Sequence, residues 1–278
     1  MQRTGPALLA ATLLVACTPP DETDSSPEVR LYALDCGRIH ISDADFYADD
    51  GSFAGEAHDL VDPCYLIRHP DGDLVWDTGL APATDGTAWE THAFEVPVSL
   101  EGQLAELGLA PADIDFFSVS HSHFDHTGNA ALFTQARWIV DEDEHAWMFR
   151  EEARQGEDFV QIAPLEQAET VLIEGDGDYD VFGDGSVLVV QTPGHTPGHT
   201  VLLVNLEEAG PVLLAGDMWH MAESRERRTV PRFNTDRAET LRSMDKVETL
   251  AERTGARIVR QHVAEDFEAL PAFPDPLR

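Results

Sequence analysis

The sequence predicts an α/β domain built as a four-layer αββα sandwich, two facing sheets with helices on their outer sides. Three observations predict it. Short runs rich in Val, Ile, Leu and aromatic residues, of strand length, recur from residue 30 onward. Capped stretches with helical spacing fall between them. The pattern comes in two similar halves over residues 30–278, a length that suits one large domain.

The elements follow in order. Early strands are expected at Arg30–Asp35, Cys64–Arg68 and Asp73–Trp76. Ser99 can cap a helix carrying Leu100, Leu104 and Leu107, stopped by Gly108. The apolar run Ile114–Ser120 reads as a strand that leads into His121-Ser122-His123-Phe124-Asp125-His126. Thr127-Gly128-Asn129 then reads as the turn into a helix over Ala130–Phe133, followed by a strand at Trp138–Val140. The second half is expected to supply strands at Thr170–Ile173, Ser186–Gln191, Thr200–Asn205 and Val212–Ala215. A late helix begins near Asn234–Asp236, carries Leu241, Met244, Val247 and Leu250, and ends at Gly255. Ile258-Val259 forms the last strand before His262.

Residues 1–16 have the shape of a secretory signal, with Arg3 early and an apolar stretch from Ala7 to Val15 too short to span a bilayer. Leu14-Val15-Ala16-Cys17 resembles a bacterial lipobox, which implies cleavage before Cys17 and lipidation of its thiol. Residues 17–29 are Pro-, Ser- and acid-rich without apolar periodicity, the composition of a flexible tether. Thr18 after the lipid-bearing Cys17, where an Asp would favour the inner membrane, makes an exported lipoprotein on the periplasmic side of the outer membrane or at the cell surface the expectation. Membrane contact is then expected only through the lipid.

The formal net charge of −34 excludes nucleic acid as a partner class, because phosphate binding needs a basic surface. Lys246 is the single lysine. Cys36 and Cys64 lie on stretches whose antiparallel pairing would bring their sulfurs together; a disulfide and two buried thiols both satisfy the sequence.

Seven residues carry the chemistry: His121, His123, Asp125, His126, His195, Asp217 and His262. Five imidazoles and two carboxylates are a ligand set for two borderline divalent ions, zinc by default and other transition metals as well. His121 and His123 alternate, so at a strand end they project to one side, while Asp125 and His126 on the following turn can face a second ion. The motif leaves the C-terminal end of a strand, where open α/β sheets build their sites.

On these residues the chain resembles the metallo-β-lactamase superfamily, over roughly residues 30 to 278. The resemblance implies the same αββα sandwich. It implies one ion on His121, His123 and His195, a second on Asp125, His126 and His262, and Asp217 bridging both. It places Asp77, in Trp76-Asp77-Thr78-Gly79, beneath the metal site, where a simple turn-initiating role also fits, and gives His199 a supporting role rather than a ligand's. A carboxylate bridge points to dinuclear hydrolases such as lactonases and glyoxalase II rather than to typical β-lactamases.

The blocks LYALDCG, DPCYLIRHPDGDLVWDTGL, HSHFDHTGN, TPGHTPGH and QHVAEDF resemble N-acyl homoserine lactonases. This implies opening of a lactone ring by a metal-bridging hydroxide, with Asp125 relaying a proton. It also implies a small lactone or ester as the partner. Other esters, thioesters and β-lactams are the alternative substrates. Phe124 matches an aromatic pocket residue and equally fits packing on the metal loop. His220 stands where such lactonases carry a tyrosine, three residues after the bridging Asp217, and is a candidate to bind substrate or protonate the leaving group. Trp147, Met148 and Phe149 can line an acyl groove, although core packing suits them better. His40, His58, His69, His92 and His145 lack ligand spacing and are expected at the surface or in structural roles.

Overall fold

The structure is a computed structural model that describes Met1 and residues 28–156, 159–175 and 177–278. Apart from Met1, the stretch 1–16 expected to be a signal peptide lies outside these residues, as do Cys17 and the expected tether up to residue 27. No helix among the described residues is long and apolar enough to cross a membrane.

Two sheets form the centre. The first contains β1 (Arg30–Ile41), β2 (His58–His69), β3 (Gly72–Trp76), β4 (Ala88–Trp89), β5 (His92–Glu95), β6 (Phe116–Ser118), β7 (Arg137–Asp141) and β8 (Thr170–Ile173), in the order β4-β5-β1-β2-β3-β6-β7-β8. The second contains β9 (Tyr179–Asp180), β10 (Val187–Gln191), β11 (Thr200–Leu206), β12 (Gly210–Leu214) and β13 (Arg257–Val259), in the order β13-β12-β11-β10-β9. The helices are α1 (Leu100–Glu106), α2 (Phe124–Thr127), α3 (Glu142–Met148), α4 (Glu151–Arg154), α5 (Phe159–Ile162), α6 (Ser224–Arg227), α7 (Arg237–Thr254) and α8 (Ala264–Glu268).

Strand alternation builds the four layers. On β1, Leu31 and Ala33 enter the core between the sheets, and Tyr32 and Leu34 the core beneath α1 and α3. On β11, Leu202 and Val204 face inward, while Val201 and Leu203 pack with Met244, Val247 and Leu250 of α7. Trp76 and Trp138 are fully buried on opposite faces of the first sheet. Each such side chain contributes on the order of 1.5–3 kcal/mol by leaving water.

The helix signals hold where caps are explicit. Ser99 accepts a bond from the Gly102 amide at 3.1 Å, and Asp236 caps α7, which ends at Gly255 in the left-handed region (φ 73°). Thr170–Ile173 is a strand with the expected bounds, and it runs parallel to β7 at the edge of the first sheet. One expectation is corrected. The helix after the histidine motif begins inside it, at Phe124, and Ala130–Phe133 is only a 3₁₀ turn. Cys36 and Cys64 are joined by a disulfide, with Cα atoms 5.7 Å apart. Cys36 lies where the β1–β2 register shifts, between Asp35 and Arg38.

Candidate metal centre

The seven expected ligands converge from four strand ends. His121 and His123 follow β6, His195 follows β10, Asp217 follows β12 and His262 follows β13, while Asp125 and His126 lie on α2. They form two groups, His121, His123, His195 and Asp217 in one and Asp125, His126 and His262 in the other, each with its ligand atoms within 4.8 Å of one another. In the first, His123 Nδ1 lies 2.8 Å from His121 Nε2 and 3.1 Å from His195 Nε2.

Asp217 faces both groups. Its Oδ2 is 3.5 Å from His121 Nε2 and 3.4 Å from His195 Nε2. Its Oδ1 is 3.2 Å from His126 Nε2 and 3.0 Å from His262 Nε2. This carboxylate therefore points one oxygen at each group, the arrangement a bridge between two cations requires.

The resemblance implies a metal pair, and these residues fit one. His126 Nε2 and Asp217 Oδ1 are buried and make no hydrogen bond, although such atoms are costly to bury unpaired. Burial first, then the neighbouring imidazoles, hold His121 and His123 well below the usual histidine value, so each offers a lone pair rather than a charge.

The far side of each ring is pinned, which fixes the nitrogen that faces inward. His126 Nδ1 donates to Asp77 Oδ2 at 3.0 Å, and Asp77 Oδ1 accepts from the Ser120 amide at 2.6 Å. Asp77 thus lies beneath His126 and adopts positive φ (57°) to do so. His262 Nδ1 donates to the Val61 carbonyl at 2.9 Å, and His195 Nδ1 faces Asn234 Oδ1 at 3.3 Å. His199 turns away from both groups. Its Nε2 accepts from the Asp217 amide at 3.0 Å, so it supports that residue from behind. A Cβ on Gly216 would come within 2.7 Å of His199 Nε2, so this close approach needs glycine.

Glu144 is a site residue the sequence did not disclose. It is fully buried, and its two oxygens accept from the Ser122 amide at 2.7 Å and the Gly198 amide at 2.9 Å. It therefore clamps the loop bearing His121 and His123 to the loop bearing His195. Its signal was hidden in the acidic run Asp141-Glu142-Asp143-Glu144, where residue type does not separate the buried Asp141 and Glu144 from the exposed Glu142 and Asp143.

Above the centre opens a cavity of about 430 Å³. Its floor includes His123, Asp125, Asp217, His220 and His262, and its walls include Phe46, Tyr47, Trp89, His92, Phe124 and Phe233. Phe124 does face this cavity and also packs against Phe94 and Trp89. His220 is buried, with Nε2 2.9 Å from Asp217 Oδ2. Tyr47 and His92 were missed: one lies on an unpatterned turn, and the other, expected at the surface or in a structural role, enters the wall on the hairpin β4–β5. Burial, with Asp125 and Asp217 near, raises the Tyr47 phenol above its usual value and keeps it protonated. Met148 and Phe149 pack in the core beneath the first sheet, and Trp147, beneath the Arg150 guanidinium, takes no part in lining the cavity.

Comparison with known proteins matches residues 60–262 to the metallo-beta-lactamase superfamily. The chain is 33% identical over 258 residues to the N-acyl homoserine lactonase AttM of Azorhizobium caulinodans, covering 88% of this chain and 96% of that one. It is 28% identical to the N-acyl homoserine lactonase AiiA of Bacillus thuringiensis subsp. kurstaki, covering 88% and 98%. A solved N-acyl homoserine lactone hydrolase, with the product N-hexanoyl-L-homoserine at its catalytic metal centre, superposes with a TM-score of 0.74 at 27% identity, covering 90% of this chain and all of that one.

Proposed function

The chain belongs to the metallo-β-lactamase superfamily, and on that premise we propose that it is a two-metal lactonase, zinc-loaded by default, that opens the ring of N-acyl homoserine lactones. The observation that carries the reading is Asp217, which directs one oxygen at each of two histidine-rich groups. Two divalent cations held there would supply a water activated near neutral pH and the charge to polarise an ester carbonyl.

The chain's own residues do the rest. Asp217 holds the two groups in register, and His220 holds Asp217 Oδ2 from the cavity side. Asp125 lines the cavity at the second group, within reach of the proton that must move to the ring oxygen as the C–O bond breaks. The reaction balances without any further reagent: lactone and water give a hydroxy acid, which ionises and releases one proton.

The cavity supports a neutral substrate with an apolar tail. Aromatic side chains wall it, Asp43, Asp45 and Glu90 stand at its mouth, and no Lys or Arg is among the lining residues. That lining disfavours β-lactams and other substrates that carry a carboxylate. The decisive test is proton release in weak buffer from short- and long-chain N-acyl homoserine lactones, using the chain from residue 18. Zinc-dependent acid release, absent from Asp217→Asn, is the expected result. Inert lactones with metal-replete protein would redirect the search to other esters and thioesters.

Export as a lipoprotein is part of the same proposal. The Cys36–Cys64 bridge suits an oxidising compartment. Labelled palmitate should be incorporated by the full chain and lost in Cys17→Ser; labelling that survives the substitution would count against the anchor.

A further inference from the structure

Tyr47 and His92 are 45 residues apart in sequence and meet on the cavity wall, with Tyr47 Oη 2.9 Å from His92 Nε2. On the other side of the imidazole, Nδ1 faces Thr91 Oγ1 at 3.3 Å. The Tyr47 ring is held 5.4 Å from the His220 ring and edge-on to Phe233 at 5.6 Å. It is 92% buried, yet it still lines the cavity beside Asp217 and His220. A phenylalanine would serve the packing equally well, so the hydroxyl needs another explanation.

The hydrogen-bond directions supply one. The Thr91 hydroxyl can donate to Nδ1, which leaves the hydrogen of the neutral imidazole on Nε2. Nε2–H then donates to Tyr47 Oη, and the phenol hydrogen is free to point into the cavity. We propose that Tyr47, positioned by His92, binds a carbonyl oxygen of the neutral substrate beside Asp217 and His220. The substrate's chemical class rests on the lactonase reading, but the hydrogen bond itself requires only an uncharged carbonyl compound.

The test uses zinc-loaded protein and three variants, Tyr47→Phe, His92→Phe and the double variant. Each is assayed on whichever substrate the wild type cleaves fastest among homoserine lactones, other lactones and aryl esters. Tyr47→Phe should keep the wild-type zinc content and melting temperature while kcat/KM falls roughly tenfold to a hundredfold, the scale of one lost donor. His92→Phe should lose less, and the double variant no more than Tyr47→Phe alone, because His92 acts through the phenol. Unchanged kcat/KM in Tyr47→Phe, or losses that multiply in the double variant, would overturn the proposal. If homoserine lactones are inert but another ester is cleaved, the lactonase reading fails and Tyr47 is judged on that ester. If nothing in the panel is cleaved, calorimetric binding of N-hexanoyl-homoserine to zinc-loaded protein decides: weaker binding by Tyr47→Phe supports the role, and equal binding overturns it.

Discussion

The floor and the wall of the cavity are built by different rules. The floor is mostly buried: Asp217 and His262 are 2%, His220 3% and Asp125 8% exposed, and the floor residues stand on loops leaving strand ends or on the short helix beside them. Part of the wall is exposed: Phe46 is 52% and Trp89 50% exposed, on a 3₁₀ turn and a two-residue edge strand. Buried polar groups must find partners, and here His123 Nδ1 lies 2.8 Å from His121 Nε2, His220 Nε2 lies 2.9 Å from Asp217 Oδ2, and His262 Nδ1 donates to the Val61 carbonyl. Exposed edge residues bear no such obligation. The floor is therefore fixed for chemistry, and the wall is open to adjustment for the choice of substrate.

Variants can break that contrast, starting from the floor. Asp217→Asn should cost activity beyond the about 10²–10³ expected for one lost electrostatic contact, with less than two zinc per chain by elemental analysis. Zinc content and rate that stay at wild type would remove Asp217 from the bridge. One layer down, Asp77→Ala should weaken zinc affinity about 10–100-fold in chelator competition while KM of the zinc-saturated enzyme stays put. Glu144→Ala leaves the Ser122 and Gly198 amides unpaired and should cost about 1–3 kcal/mol for each in denaturant unfolding. On the wall, Trp89→Ala should raise KM for long acyl chains several-fold, barely change it for short ones and leave zinc content intact. A matching loss on short chains would mean that the wall is coupled to the floor.

The smallest effect concerns pH. Asp141, which caps α3 and accepts from Gln191 Nε2 at 2.7 Å, has its carboxyl raised by burial from 3.8 to about 6. A raised acid binds its proton more tightly in the folded state, so its stabilising contribution is full below pH 3.8 and is lost as pH rises through 6. Metal-free wild type should therefore lose stability relative to Asp141→Asn between pH 4 and pH 7 in thermal melts. A constant difference across that range would remove the effect.

The same contrast governs what the sequence disclosed. The grouping of the candidate ligands was readable because metal chemistry demands particular residue types at short spacing, as in His121-Ser122-His123-Phe124-Asp125-His126. Strand alternation and the caps at Ser99 and Asp236 were readable because they are local. Thr170–Ile173 was readable as a strand, but its strand character says nothing about which sheet edge it joins. Tyr47 and His92 had no motif, since their meeting depends on a β1–β5 pairing set by tertiary structure. Trp147, Met148 and Phe149 show the converse: large side chains close to a site in sequence that do not line it.

The disulfide reaches the candidate metal centre through the first sheet. Closing a loop of 28 residues removes about 3–4 kcal/mol of unfolded-state entropy on a chain-entropy account. The bridge ties β1 to β2, and β2 carries Val61, whose carbonyl fixes the His262 ring. The bridge therefore braces the strand that orients one member of the second ligand group. A chain that folds in a reducing compartment would lack that brace, so the compartment of folding bears on how firmly His262 is held.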